Sequence, residues 1–247
     1  MIIDTTLLNA DDFYKTETRF QKRHMKKLYA KLEKAANNIL PVEKKLIILV
    51  DIVGFSKRDT YEQWADILIF QHYLKTQALK NKLFLHKVNV THFVPTGDGC
   101  YIIANECDPE IAVDFVYSII QGFQKVQPRD EYPLSIRASA LLGDVVPFMD
   151  ISKHVNYIGE GMNEGSRILS GGQKALEENY VNLCHTEGKN PSSDEIKQYS
   201  RNSLFLDDSL ASFAKDYFSK ENAHFYFEQV ADKHGKTRNI TVLQGIK

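Results

Sequence analysis

Between residues 42 and 142, short apolar runs alternate with longer segments whose apolar positions recur at helical spacing. The clearest run is Leu46–Val50, five consecutive apolar residues of the kind found in a strand that is buried on both faces. The segment predicts, in chain order, a strand, a helix, two strands joined by a tight turn, a helix and a strand. These elements are Leu46–Val50, Tyr61–Leu79, Lys87–Val94, Cys100–Ala104, Pro109–Val126 and Leu134–Leu142. The order βαββαβ is typical of an α+β domain with a ferredoxin-like sheet.

A basic amphipathic segment precedes this domain. Residues 10–39 are predicted to form one long helix, because apolar side chains recur every three or four residues and Pro41 ends the pattern. The rest of its surface is rich in lysine and arginine, which predicts a solvated face or, alternatively, contact with an anionic partner. We therefore divide the chain into an N-terminal helical extension, residues 1–41, and a main domain, residues 42–247.

The sequence after Gly143 predicts an elaborated C-terminal half. Val145–Met149 is typical of a strand, and a short helix is expected over Gly161–Leu169. Residues 170–202 are polar and rich in Gly, Asn and Ser, so an excursion with some helix is expected there. A strand, a helix and a closing β-hairpin extension follow: Ser203–Leu206, Ser209–Phe218, and Phe225–Val230 with Thr237–Leu243.

Composition is that of an ordinary globular protein. Of the 247 residues, 43% are hydrophobic and 26% are charged. The formal net charge of -1 favours neither nucleic acid nor a membrane surface as a partner. No apolar run is long enough to cross a bilayer, and the acidic N-terminus does not resemble a secretion signal. Three cysteines, an odd number, fit a reduced compartment, so a cytoplasmic location is expected.

Two aspartates are predicted to meet at one edge of the sheet. Asp51 directly follows the most apolar strand, where an unpaired carboxylate would be costly, and Asp98 lies in the turn between the two central strands. Asp98 alone would be an ordinary turn residue. As a pair, however, hard oxygen ligands at a strand end suit Mg²⁺ or Mn²⁺. Gly54 and Gly97 beside them would let the backbone approach a phosphate closely.

The third candidate feature is the step from Asn163 to Arg167. The two residues are four apart, so they share one face of the predicted helix. An amide can orient the oxygens of a sugar, and a guanidinium can stabilise charge that develops on a phosphate. Taken alone, the pair would be a capping asparagine and a surface arginine.

Four motifs in this order resemble the catalytic domain of class III nucleotidyl cyclases. The motifs are Asp51-Ile-x-Gly-Phe-Ser, Thr96-Gly-Asp98-Gly, Ile136-Arg137-x-Ser-x-x-x-Gly143 and Gly159-x-x-x-Asn163-x-x-Ser-Arg167. The resemblance runs from about Lys45 to Ser170. It implies a palm-type domain that binds a nucleoside triphosphate and works as a head-to-tail homodimer. Each of the two interface sites would hold two divalent ions, Mg²⁺ or Mn²⁺.

The resemblance also implies roles for single residues. The residues are, for the metal ions, Asp51, Ile52 and Asp98; for the ribose and the transition state, Asn163 and Arg167; for the phosphates, Gly54, Phe55, and Lys233 or Lys236. Either lysine could instead be a simple turn residue. Arg137, which begins a strand, is a further basic residue that could meet the triphosphate or could instead pair with a carboxylate.

The two positions that read the base depart from the purine cyclases. The family's first base-reading residue is a lysine or a glutamate, and Val94 stands in its place; the second position is Asn156. A valine offers no hydrogen bond to a purine, whereas an asparagine can read uracil, or cytosine after a flip. In this respect the chain resembles the pyrimidine cyclases of bacterial Pycsar anti-phage systems. That resemblance implies conversion of UTP, slightly favoured, or CTP to a cyclic nucleotide that a separate effector senses in antiviral defence.

Other interpretations stay open. The domain could be an adenylate or guanylate cyclase, or an inactive nucleotide-binding sensor of the same fold, although all four motif residues are present. RNA binding would need aromatic and basic residues interleaved on the sheet face, and the central strands are mainly aliphatic. A palm-type polymerase or dinucleotide cyclase would share the two aspartates, but the step from Asn163 to Arg167 favours intramolecular cyclisation.

Overall fold

The structure, a computed structural model, describes residues 3–4, 26–27, 30, 41–80, 88–125, 134–218, 224–231 and 237–244. The helix predicted over residues 10–39 lies outside this part of the chain apart from residues 26, 27 and 30, which are helical. The two candidate phosphate-binding lysines, Lys233 and Lys236, also lie outside it.

Within these ranges the chain forms nine strands and five helices, and a 3₁₀ turn, Phe55–Lys57, follows the second strand. The strands are β1 (Ile3–Asp4), β2 (Glu43–Ile52), β3 (Val90–Pro95), β4 (Gly99–Asn105), β5 (Ile136–Met149), β6 (Val155–Ile158), β7 (Leu204–Leu206), β8 (His224–Ala231) and β9 (Thr237–Gln244). The helices are α1 (Thr60–Lys80), α2 (Pro109–Lys125), α3 (Glu160–Thr186), α4 (Ser193–Tyr199) and α5 (Asp208–Phe218). No helix in these ranges is long and apolar enough to cross a lipid bilayer.

The strands form one sheet in the order β3-β4-β2-β5-β7-β9-β8. β2 lies near the centre and pairs antiparallel with β4 on one side and with β5 on the other. The distal half of β5 also pairs with β6, and β1 pairs with its last two residues. The first six elements of the main domain therefore have the predicted βαββαβ order, and the ferredoxin-like α+β fold is confirmed.

The central strand β2 is buried on both faces, as its continuous apolar run predicts. Leu46, Ile48 and Val50 pack in a hydrophobic cluster with α1, α2 and α5 on one side of the sheet. Ile47 and Leu49 pack on the other side, in a second cluster with α3. Burial of each large aliphatic side chain contributes about 1.5–3 kcal/mol, so β2 anchors both layers. Its end, Asp51, is thereby held in a fixed position.

Strand β5 differs from the prediction at Gly143. Separate strands were expected before and after this glycine, yet β5 runs through it from Ile136 to Met149. The glycine serves a close crossing, because a Cβ there would lie 2.9 Å from the Cα of Gly161 in α3. Glycine is required here because a side chain would collide with α3, and not because the chain turns, so the strand continues through it. The following strand, β6, was expected to be loop.

Helix α3 is much longer than predicted. The helix was expected to end at Leu169, before a polar excursion that includes Gly171 and Gly172, but it continues to Thr186. At Gly172, a Cβ would lie 2.2 Å from the ring of Phe205 in β7. This glycine therefore lets the helix pack closely on the sheet, and it does not break the helix.

Candidate active site

The two aspartates predicted to bind metal lie at one edge of the sheet. Asp51 lies opposite Gly99 in the pairing of β2 with β4, and the amide of Ile52 donates to the carbonyl oxygen of Asp98 at 3.0 Å. The end of β2 is thus fixed against the β3–β4 turn, and both carboxylates line one cleft of about 250 Å³. The other lining residues are Leu49, Thr96, Tyr101, Arg137, Ser166, Leu169, Ser170 and Gln173.

Asp51 is 8% exposed and forms an ion pair with Arg137 of β5. The Nε and Nη2 atoms of Arg137 both donate to the Oδ2 atom of Asp51, at 2.8 and 2.5 Å. Burial raises the pKa of the Asp51 carboxyl above its usual value; Arg137 opposes this rise, and the nearby negative charge of Asp98 adds to it. Arg137 was expected to pair with a carboxylate as an alternative to a phosphate, and that carboxylate is Asp51, the predicted metal ligand.

The donors in this cleft fit a divalent cation that keeps part of its water shell. Asp98 raises the pKa of Asp51 because two negative groups lie close together, and a cation between them would relieve that repulsion. Within the described residues, the Asp98 carboxylate takes part in no hydrogen bond or ion pair, and no third His, Cys, Asp or Glu joins the two aspartates. Water and phosphate oxygens would complete the coordination, as is common for Mg²⁺ beside a nucleotide. Arg137 binds only the Oδ2 atom of Asp51, so a cation that used both oxygens of this carboxylate would displace it.

The loop after Asp51 is shaped by Gly54. Gly54 has a φ of +77°, in the left-handed region, and nothing lies within 4 Å of the position that a Cβ would take. The glycine thus serves the turn into the 3₁₀ segment, and its backbone lies beside open space. Phe55 packs its side chain against the first hydrophobic cluster. The Ile52 side chain is buried, and neither hydrocarbon side chain has an oxygen or nitrogen atom, so Ile52 and Phe55 can bind a metal or a phosphate only through their backbone.

Asn163 and Arg167 do not line the aspartate cleft of their own chain. The residues of α3 that line it are Ser166, Leu169, Ser170 and Gln173. At about 100° per residue, Asn163 projects about 70° and Arg167 about 110° around the helix from the mean direction of that group. Asn163 is exposed and Arg167 is partly exposed. One chain therefore brings the two aspartates into one cleft, and the other two motif residues are not among those that line it.

The predicted base-reading residues lie on neighbouring strands. Val94 lies on β3 and Asn156 on β6, and these strands are in contact where the Tyr157 hydroxyl and the Nδ1 atom of His92 are 2.6 Å apart. The Oδ1 atom of Asn156 accepts a hydrogen bond from the backbone amide of Tyr157 at 2.8 Å. A backbone amide can only donate, so this contact fixes which end of the Asn156 side chain is the oxygen. The amide nitrogen of Asn156 is left as the group that can be presented to a ligand.

Two charged residues that sequence reasoning missed lie next to Arg167. Glu164 of α3 forms a two-pronged ion pair with Arg238 of β9, in which Nη2 of Arg238 is 2.8 Å from Oε2 of Glu164. Nη1 of Arg167 is 3.5 Å from the same Oε2 atom. The alternation of Arg238 with Ile240 and Val242 along β9 is the signal that could have indicated an inward-facing arginine.

Comparison with known proteins identifies the fold. The chain matches no established protein-family profile and no curated protein sequence. Its structure is similar to the catalytic core of a rhodopsin-guanylyl cyclase with converted specificity in complex with ATPαS, with a TM-score of 0.56 and 17% identity over 83% of this chain and 96% of that one. The guanylate cyclase domain of RhGC from Catenaria anguillulae in complex with GTP is similar with a TM-score of 0.54 and 16% identity, over 83% of this chain and 98% of that one.

A third similar structure, the guanylyl cyclase Cya2, has a TM-score of 0.52 and 16% identity, covering 82% of this chain and 91% of its own. A bacterial light-regulated adenylyl cyclase has a TM-score of 0.52 and 13% identity, over 91% of this chain and 63% of that one. At such low identities the likeness concerns the fold. The chain has the fold of a nucleotidyl cyclase catalytic domain.

Proposed function

We propose that this chain is a nucleotidyl cyclase that converts UTP, in preference to CTP, to the 3′,5′-cyclic nucleotide and pyrophosphate. The observation that carries the proposal is the cleft in which Asp51 and Asp98 meet at the end of β2, in a chain with the fold of a cyclase domain. The presence of Asn163 and Arg167 on the expected helix of the same fold adds to it. An enzyme of this kind needs both groups of residues.

The reaction is an intramolecular displacement at the α-phosphorus. The 3′-oxygen of the ribose forms a bond to the α-phosphorus, the bond to the bridging oxygen of the β-phosphate breaks, and the hydroxyl proton leaves to solvent. Two divalent ions, when bound, would lower the pKa of the hydroxyl and neutralise the leaving pyrophosphate. Asp51 and Asp98 would hold these ions, with the Ile52 carbonyl as a further oxygen donor. The backbone of Gly54 and Phe55 would lie beside the phosphates, and Lys233 or Lys236 would meet the β- and γ-phosphates.

The complete site is formed by two copies of the chain. Asn163 and Arg167 are not among the residues that line the cleft of their own chain, which supports their action on a nucleotide bound at another chain. In a head-to-tail homodimer, each protomer would supply two aspartates to one site and the Asn–Arg pair to the other. Asn163 would orient the ribose, and Arg167 would stabilise the charge that develops on the α-phosphate.

The orientation of Asn156 favours uracil over cytosine. Because its oxygen is held by the Tyr157 amide, Asn156 presents an N–H group, which can donate to the O4 carbonyl of uracil but not to the exocyclic amine of cytosine. Val94 packs against the second hydrophobic cluster and offers an apolar wall. The flip that would let Asn156 read cytosine would break the bond to Tyr157. The resemblance to Pycsar cyclases supports a role of the product as a messenger in antiviral defence, sensed by a separate effector.

A second function is favoured by one observation, the ion pair between Arg137 and Asp51. If the ion pair with Arg137 permanently prevented Asp51 from binding a metal ion, the chain would be an inactive nucleotide-binding sensor. Incubation of the pure protein with each of the four ribonucleoside triphosphates and Mn²⁺, followed by mass analysis of the products, distinguishes the two functions. We expect cyclic UMP from the wild type and none from Asp51→Ala or Asp98→Ala. A sensor would bind a nucleotide without turnover. A cyclic purine nucleotide as product would show that the chain is a cyclase but that UTP is not its substrate.

A further inference from the structure

A network of three charged side chains joins helix α3 to strand β9. Arg238 grips the carboxylate of Glu164 with its Nε and Nη2 atoms, one on each oxygen. Arg167, one helical turn further along α3, places Nη1 3.5 Å from the Oε2 atom of Glu164. A single carboxylate therefore faces two guanidinium groups, one from each element.

The packing beneath this network makes Glu164 a rigid point. Arg238, Ile240 and Val242 alternate along β9 and so share one face of the strand. Ile240 and Val242 are buried in the second hydrophobic cluster together with Ile168, which is four residues after Glu164 on α3. The Arg238 side chain is itself only 9% exposed. Glu164 is thus fixed at the rim of a packed contact between α3 and β9.

The two contacts of Glu164 differ in kind. The fork of Arg238 occupies both oxygens, as in a strong charge-assisted pair. Arg167 approaches only one of these oxygens, at a distance too long for a strong hydrogen bond. Through this contact the carboxylate of Glu164 can help to set the direction of the Arg167 guanidinium.

We propose that Glu164, held by Arg238, is a positioning residue that directs Arg167 toward the α-phosphate in the site of the partner protomer. The inference rests on the proposed cyclase function and adds to it two residues that the sequence motifs do not contain. Glu164 touches no reacting atom, and its effect on turnover passes through Arg167. Arg238 acts one step further away, by keeping the Glu164 carboxylate in place.

Steady-state kinetics of Glu164→Gln, which keeps the shape of the side chain and removes its charge, test this inference. We expect kcat to fall on the order of 10- to 100-fold, since a misplacement of about 1 Å in a catalytic group can cost that much, while KM stays unchanged. Glu164→Asp keeps the charge and should restore part of the lost kcat. Glu178→Gln is the matched control, because Glu178 lies on the same helix and pairs with Lys174 at 3.7 Å, away from Arg167.

A double-variant cycle separates positioning from simple support of the fold. In an Arg167→Ala background, Glu164→Gln should lower kcat no further, because the residue through which it acts is gone. If the two losses multiply, or if Glu164→Gln lowers the Tm and raises KM at constant kcat, Glu164 is a structural tether and the inference is wrong. A wild type that forms no cyclic nucleotide from any triphosphate would instead overturn the proposed function, and this inference with it.

Discussion

Replacing Arg137 by glutamine removes the positive charge that balances Asp51 and should destabilise the metal-free protein. The side chains of Arg137 and Asp51 are 18% and 11% exposed, so their ion pair is largely buried. Loss of one member of a buried pair leaves the other charge uncompensated, which is expected to cost about 3 kcal/mol here. For a domain of this size, that loss lowers the Tm by about 6–12 °C.

The pH dependence of this loss follows from the Asp51 pKa. Arg137 opposes the rise that burial and Asp98 cause, so Arg137→Gln should raise the pKa of Asp51 further. A carboxyl whose pKa is raised on folding binds its proton more tightly in the folded state. Stability therefore falls as the pH rises from the unfolded pKa through the folded one. The Tm difference between wild type and Arg137→Gln should be largest at neutral pH and smallest near about pH 4.

Excess Mn²⁺ should restore most of the lost stability, because the cation would take over the charge balance at Asp51 and Asp98. Arg58→Gln is a matched control, since Arg58 is 2.7 Å from Asp66 in a pair of similar burial, with side chains 17% and 7% exposed. Asp66 does not line the cleft that Asp51 and Asp98 share. Arg58→Gln should therefore lose a comparable amount of stability, and its Tm difference from the wild type should stay the same in Mn²⁺, because its metal site is intact.

Thermal unfolding followed by circular dichroism, first in EDTA and then in Mn²⁺, gives all of these values. If Mn²⁺ leaves the Tm difference between wild type and Arg137→Gln as large as it is in EDTA, the cation does not replace the charge of Arg137. If Arg137→Gln unfolds together with the wild type in EDTA, the ion pair does not stabilise the protein. Either result would refute the reasoning about Asp51.

Two further predictions concern the base and a second, partly buried carboxyl. Asn156→Asp keeps an oxygen for the Tyr157 amide and turns the outward donor into an acceptor, so kcat/KM for UTP should fall about 10- to 100-fold, as an unpaired polar group costs about 1–3 kcal/mol. CTP should lose much less in the same assay of cyclic product; an equal loss for both nucleotides would remove Asn156 from base recognition. Burial raises the pKa of Asp207, which accepts a hydrogen bond from the Leu210 amide at the start of α5, to about 6. Because that pKa is raised on folding, its stabilising effect is lost as the pH rises from about 4 to 6. Asp207→Asn should therefore be more stable than the wild type at neutral pH, by at most about 3 kcal/mol, and should not differ below pH ~4. A constant difference in Tm across this pH range would contradict the prediction.

The sequence predicts the centre of this fold well, because its signals there are local. The apolar run of β2 and the helical periodicity of α2 each arise from which faces are buried, and the structure confirms them. Helix α1 forms over the predicted span, but Trp64 and Leu68, which were expected on its apolar side, are exposed. Glycine misled the prediction at Gly143 and Gly172, where the residue serves a close contact with a distant element. A missing Cβ looks the same in a sequence whether it permits a turn or a close packing contact.

In the candidate site, too, local features were predictable from the sequence and contacts between distant residues were not. Asp51 and Asp98 are recognisable from their positions at strand ends, and the structure brings them into one cleft. The ion pair of Glu164 and Arg238 joins residues 74 positions apart and depends on how β9 packs against α3. The orientation of the Asn156 amide depends on a single backbone hydrogen bond. The alternation along β9 can indicate an inward-facing Arg238 but not its partner, and no residue pattern indicates which end of the Asn156 amide accepts the bond.

Mixing two inactive variants tests most directly whether one site is built from two chains. Asp98→Ala destroys the metal side of a site and Arg167→Ala the opposite side, so each homodimer should be inactive. Co-expressed in equal amounts, half of the dimers would contain one copy of each and hold one intact site, which gives about a quarter of the wild-type cyclase activity. Recovery to that level is the predicted result. A mixture as inactive as its two components would contradict a site shared between protomers.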